Sequence, residues 1–133
     1  MLTYRIVLAN NHAPFREALK RILKERSDLE IVAEVEDGSE LLNLLNLGEL
    51  APHMVILDPS MPNFQGMGAI DTVKAIRPDV KVLVLSMHKD KEYLSQAISR
   101  GAEGYLIKET AGKELLSAIE MIRQGKLYVS PFP

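Results

Sequence analysis

The chain has 133 residues, 47% of them apolar and 26% charged, and its 16 basic and 18 acidic side chains leave a formal net charge of −2. That length fits a single domain around one core, and the composition is that of a soluble globule, neither disordered nor membranous. With no Lys/Arg cluster interleaved with aromatics these residues alone make a poor nucleic-acid binder, and with no cysteine they form neither disulfides nor thiolate metal sites.

The opening MLTYRIVLAN lacks the charged leader and long apolar run of a secretory signal. No apolar run approaches the roughly 20 residues that cross a bilayer. The expectation is a cytoplasmic protein without a membrane span.

Tyr4–Ala9 reads as the first strand. Phe15, Ala18, Leu19, Ile22 and Leu23 then recur with helical spacing, which predicts a helix over residues 14–25 with Pro14 in its first turn. Its opposite face, with Arg16, Glu17, Lys20, Arg21 and Lys24, is expected in solvent. Leu29–Val35 is the second strand; a helix over residues 39–47 follows the turn signal Asp37-Gly38 and stops near Gly48. Met54–Leu57 is the third strand, and residues 67–76 form a helix that turns Ile70, Val73 and Ile76 inward and ends before Pro78. Residues 81–85 form the fourth strand, followed by a helix over 90–100 that uses Leu94, Ala97 and Ile98 and is closed by Gly101 as a left-handed cap. Gly104–Ile107 is the fifth strand, and a helix over 111–124 uses Leu115, Ile119 and Ile122 and ends at Gly125. Only the tail, residues 126–133, is left without an element.

The runs RIVLA, MVIL and VLVL are continuously apolar, as in parallel strands covered on both faces. Strict alternation with helices then predicts an α/β fold, a doubly wound (βα)5 sandwich around a central five-stranded parallel sheet. Ligands of such sheets bind at the carboxyl ends of the strands. The positions to examine are Asn10, Asn11 and His12; Asp58, Pro59 and Ser60; Ser86, Met87 and His88; and Lys108 with Glu109.

Each of these has an ordinary explanation taken singly. Asp58 could cap the next turn, Lys108 could be solvated, and Ser86 could satisfy a backbone group. Their coincidence is informative: a carboxylate, a hydroxyl and an ammonium end three different strands on one edge. Such a trio can hold a phosphoryl group, the carboxylate attacking phosphorus while Lys and Ser bind the anionic oxygens.

VILDPSMPNFQG carries the pattern D-x-x-M-P-x-x-x-G through Asp58, Met61, Pro62 and Gly66. VLVLSMH contains Ser86, GAEGYLIKE contains Gly101, Gly104, Tyr105 and Lys108, and HAPFREALKRIL follows the first strand. In this order and spacing, over essentially its whole length, the chain resembles the receiver domains of bacterial two-component response regulators, in the subfamily with LuxR-type (NarL/FixJ-like) output domains. The resemblance implies a flavodoxin-like fold with Asp58 as phosphoacceptor, Lys108 as ion partner of the phosphoryl group, and Ser86 as the hydroxyl that follows it on activation. Tyr105 matches the switch aromatic, and Ser60 and His88 match positions that tune phosphoryl lifetime. For His88 the favoured reading is still a solvated loop residue, and Tyr105 could simply pack over the fourth helix.

The family places an acidic pair after the first strand, and this chain has Asn10 and Asn11. In the family that pair helps hold Mg²⁺ with the acceptor Asp and a backbone carbonyl two residues on, here that of Ser60. Mg²⁺ prefers hard charged oxygens. At about 4 Å and an effective dielectric near 20, each ligand charge is worth about 4 kcal/mol against one positive charge before desolvation. The resemblance therefore implies a Mg²⁺ site of Asp58, Ser60, Asn11 and Asn10 that is weak or absent. Pro59 removes one more amide donor beside Asp58.

Two functions of the same fold stay open. One is a signalling receiver switched by phosphorylation at Asp58. The other is an atypical receiver that signals without phosphate through dimerisation, partner docking or a small ligand. An enzyme of this fold is a third class, but neither G-x-G-x-x-G after a strand nor a Walker A loop is present, and Asp58 has no second Asp two residues on. The chain is therefore expected to be no enzyme beyond its own phosphoryl transfer and dephosphorylation. Partners implied by the resemblance are a sensor histidine kinase docking on the first helix, a second copy of the chain, and DNA only through an output domain outside this sequence. Residues 1–125 would then be the receiver domain and 126–133 the start of a linker.

Overall fold

The computed structural model describes residues 2–63 and 66–131, so the last two residues of the tail lie outside it. Among the described residues strands and helices alternate: β1 (Tyr4–Ala9), α1 (Ala13–Leu23), β2 (Leu29–Val35), α2 (Gly38–Leu47), β3 (Met54–Leu57), α3 (Gly68–Ile76), β4 (Lys81–Ser86), α4 (Lys91–Ser99), β5 (Gly104–Ile107), α5 (Ala111–Arg123) and β6 (Tyr128–Val129). The first five strands and all five helices fall within one or two residues of the expected limits, which is the scale on which element ends fray. Local chemistry explains several ends. Asp37 and Asp90 cap α2 and α4 by accepting the backbone N–H groups of Glu40 and Tyr93. Gly48 closes α2 at φ 70°, a left-handed conformation suited to glycine.

The strands form one parallel sheet in the order β2-β1-β3-β4-β5-β6. Val7, Ala9, Val55, Leu57, Val82 and Val84 pack on one face against Leu41 and Leu45 of α2, Ile70 and Val73 of α3 and Ala97 of α4. Ile6, Leu8, Met54, Ile56, Leu83 and Leu85 pack on the other against Leu19 and Leu23 of α1 and Leu115 and Ile119 of α5. Because β1 is flanked by both β2 and β3, the winding reverses there, and the crevice of a doubly wound sheet opens above the carboxyl ends of β1 and β3.

The expected five strands become six. After Gly125 (φ 84°) the tail turns back along β5, where Tyr128 N–H donates to the Glu103 carbonyl (3.1 Å) and Ser130 N–H to that of Tyr105 (2.9 Å). Two residues are too short a run for periodicity to reveal. Gly104 fits this crowded edge because a Cβ there would lie 2.5 Å from Leu83 Cδ1 and 2.8 Å from Ile122 Cδ1. None of the described helices is long and apolar enough to cross a membrane.

Candidate functional site

The strand ends bring the sequence-derived residues together at the carboxyl edge. Asp58 follows β3, Lys108 follows β5, Asn10 follows β1, and Ser86 is the last residue of β4. Side chains alternate between faces along a strand. Continuing the alternation places Asn10, Asp58 and Lys108 toward the α1/α5 side, and Ser86 and Tyr105 toward the α2–α4 side. The acceptor candidate is thus approached from both faces.

Asp58 is buried, 2% exposed. Its Oδ2 accepts a 2.6 Å hydrogen bond from Lys108 Nζ. Its Oδ1 accepts from the Ser60 N–H (3.0 Å) and the Ser60 hydroxyl (2.7 Å), so a turn two residues long fixes the carboxylate plane. Charge-assisted bonds of this kind are the strong ones. The Lys108 ammonium also lies 5.5 Å from the centre of the Phe15 ring, which orients it by a cation–π contact. A cavity of about 210 Å³ opens over the pair, lined by Asp58, Ser60, Met67, Ser86, Tyr93 and Lys108 among others.

Ser86 accepts the His88 backbone N–H at 3.0 Å, and the Tyr105 hydroxyl donates to the His88 carbonyl at 2.8 Å. The β4–α4 loop is therefore tied to both. Tyr105 is fully buried and points inward. Burial pushes its phenol above the usual range, and a hydrogen bond with Ser86 pulls it partly back. His88 is exposed to solvent, yet its ring stacks on Tyr93 with centroids 3.8 Å apart and planes 6° apart.

The β1–α1 turn decides what the two amides can do. Asn10 is 1% exposed; its Oδ1 accepts the His12 N–H (2.6 Å) and its backbone carbonyl accepts from Arg16 Nη1 (2.5 Å). Its Nδ2 is buried with no hydrogen-bond partner among the described residues, while Asn11 is exposed. Among the described residues no group of three or more His, Asp or Glu side chains converges as metal ligands. A hard divalent cation would meet one carboxylate with both oxygens engaged and one amide whose oxygen is engaged. As arranged, these donors do not fit Mg²⁺.

Several participants had no signal in the sequence. Phe15 reads as a helix core position, Tyr93 as an unremarked residue of α4, and Arg16 as part of a solvated face. Arg16 instead bridges Glu34 and Glu36 while holding the Asn10 carbonyl. Away from the site, just before β3, His53 stacks on Tyr4 (centroids 4.9 Å) and accepts the Arg5 N–H at Nδ1. Each depends on which loops meet in space, and spacing along the chain does not encode that.

A profile of the response regulator receiver domain matches residues 6–120. The transcriptional regulatory protein DegU of Brevibacillus brevis is 38% identical over 127 residues, covering 96% of this chain and 53% of its own length. The non-phosphorylated receiver domain of the stress response regulator RcsB from Escherichia coli superposes with a TM-score of 0.90 at 26% identity, over 97% of this chain and 99% of that one. A LuxR-family two-component response regulator from Aurantimonas sp. SI85-9A1 does so with 0.88 at 31% identity, over 97% and 91%. The chain spans just over half the length of the curated relatives it matches. It belongs to the response regulator receiver domains, of the LuxR type, a class of signalling modules that typically bind Mg²⁺.

Proposed function

We propose that this receiver domain accepts a phosphoryl group at Asp58 from a sensor histidine kinase in the cytoplasm, and that the modification shifts a conformational equilibrium read by an output domain. The observation that carries this reading is the Lys108–Asp58 bond at 2.6 Å beneath an open cavity, with Ser60 holding the other carboxylate oxygen. One Asp58 oxygen attacks phosphorus as the bond to the donor's nitrogen breaks, and the donor imidazole leaves. Lys108 and Ser86 then hold phosphoryl oxygens. Ser86 moving toward the phosphoryl group draws on the loop that it and Tyr105 both grip, which gives Tyr105 its switch role. Ser60 and His88 flank the path by which water would reach the acyl phosphate, consistent with tuning of its lifetime.

Residues 1–125 act as the receiver, and residues 126–133 begin a linker whose first part, β6, is laid against the sheet. The kinase docks on α1 beside the pocket. A second copy contacts α1 and α5, or α4, β5 and α5. DNA is reached only through an output domain beyond these residues. The Mg²⁺ site formed by Asp58, the Ser60 carbonyl, Asn11 and Asn10 is weak or absent.

A second reading has its own support: with Lys108 already paired to Asp58 and the Asn10 oxygen committed, the pocket resembles a neutralised state. The domain would then signal without phosphate, through dimerisation or partner binding. Intact mass after incubation with acetyl phosphate separates the two, beside an Asp58→Ala control. A gain of one phosphoryl group, absent from the control, is the expected result. No gain from acetyl phosphate or from a phosphorylated kinase would favour the second reading.

A further inference from the structure

Asn10 occupies the rung beside Asp58. The β1–β3 pairing runs through Ala9 and Leu57, and the Asp58 N–H donates to the Ala9 carbonyl (3.0 Å), so the next residue of each strand stands about one strand spacing from the other, about 4.8 Å. Both acceptors of Asn10 are used within its own turn, by His12 and Arg16. What remains is a buried amide donor, Nδ2, with no acceptor among the described residues. Buried donors without partners are rare in folded proteins and call for a reason.

A carboxylate in the same turn would keep the His12 bond with one oxygen and offer the second to a cation. The carboxamide, held in register by that same bond, offers an N–H₂ group instead. Its dipole repels a cation and is completed by an anionic oxygen. The substitution therefore changes the sign of the preferred ligand at this position, which is more than a loss of ligand charge.

We propose that Asn10 makes the acceptor pocket independent of a divalent cation: Nδ2 donates to an oxygen of a phosphoryl group carried on Asp58, and Lys108 supplies the positive charge. This inference rests on Asp58 as the acceptor, but the side chain at position 10 can be tested apart from it.

Two titrations read it. In the first, Mg²⁺ alone is titrated calorimetrically into the wild-type protein and Asn10→Asp. The variant is expected to bind Mg²⁺ about tenfold or more tightly than the wild type. Equal affinities would overturn the inference whatever Asp58 does. In the second, beryllofluoride, a phosphoryl mimic that coordinates a carboxylate oxygen, is added in a chelator or in Mg²⁺ and the melting temperature is followed. The wild type should be stabilised equally in both media, Asn10→Asp only with Mg²⁺, Asn10→Ala much less in the chelator, and Asp58→Ala in neither. Wild-type stabilisation that requires Mg²⁺, or that survives in Asp58→Ala, would overturn the inference. If the wild type fails to respond while Asn10→Asp responds with Mg²⁺, the donor role falls and the acceptor reading stands; if no variant responds, both fall. Should Asn10→Asp not fold, the comparison of wild type with Asn10→Ala in chelator still decides.

Discussion

Two lysine–carboxylate pairs lie at opposite ends of the same sheet and use their charges differently. Lys74 of α3 donates to both oxygens of Glu103 (2.9 and 2.7 Å) and to the Val80 carbonyl (2.8 Å), and Glu103 also accepts the Val82 N–H. All three ammonium protons are committed. The Lys108 ammonium has a single hydrogen bond among the described residues, to Asp58, plus the face of Phe15. An ammonium carries three donors, so Lys108 keeps two to give without leaving its partner. The carboxylates differ in exposure, 3% for Asp58 against 19% for Glu103, but both lysine side chains are equally accessible, 18%, so burial does not distinguish the two ammonium groups. Closure of the hydrogen-bond network does. A saturated pair joins α3 to the start of β5 as structure, and an unsaturated one waits for a ligand.

The sharpest break of this contrast is to remove the carboxylates. Glu103→Ala should cost about 3 kcal/mol, since it strands a partly buried ammonium and a backbone N–H. Asp58→Ala should cost less than about 1 kcal/mol or stabilise the fold, because sites held for function commonly trade against stability. Urea unfolding of the two variants decides, and equal losses would erase the distinction. Next in size is Gly104→Ala, one residue from Glu103, where overpacking against Leu83 and Ile122 should cost about 1–3 kcal/mol. A neutral result would mean that the amino end of β5 yields more readily than its saturated ion pair suggests.

Ser130→Ala should cost about 1 kcal/mol through its lost bonds to the Ile107 N–H and Glu114. Faster amide exchange at Ile107 would locate the loss. The smallest effect is the pH response of His53, also on the amino side of the sheet. Burial, followed by Arg5 and Arg123, holds its imidazole below the usual value of 6.5. The unfolded chain therefore protonates first as pH falls. The contribution is full above about pH 6.5 and is lost below it. Urea midpoints at pH 7 and pH 5.5 should differ more in the wild type than in His53→Asn.

Much of this was legible in the sequence because parallel strands buried on both faces leave continuous apolar runs, and their ends are where chemistry gathers. That rule places Asp58 and Lys108, 50 residues apart, on one edge of the sheet, and the resemblance to receiver domains supplied their roles as acceptor and ion partner. The orientation of the Asn10 amide could not be read in this way, because it is set by a hydrogen bond to His12 in a turn whose shape the spacing does not specify. The stacking of His88 on Tyr93 and the reach of Arg16 to the Asn10 carbonyl are likewise products of loop packing. β6 escaped because a two-residue strand has no period.

That short strand has a mechanical consequence. Its bonds to the Glu103 and Tyr105 carbonyls, and the Ser130 hydroxyl on the Ile107 N–H, run the length of β5. Tension applied at Pro131 is therefore delivered first to the strand that carries Tyr105 and leads directly into Lys108. Anything that tugs on the tail loads Lys108, and anything that displaces that lysine slackens the tail.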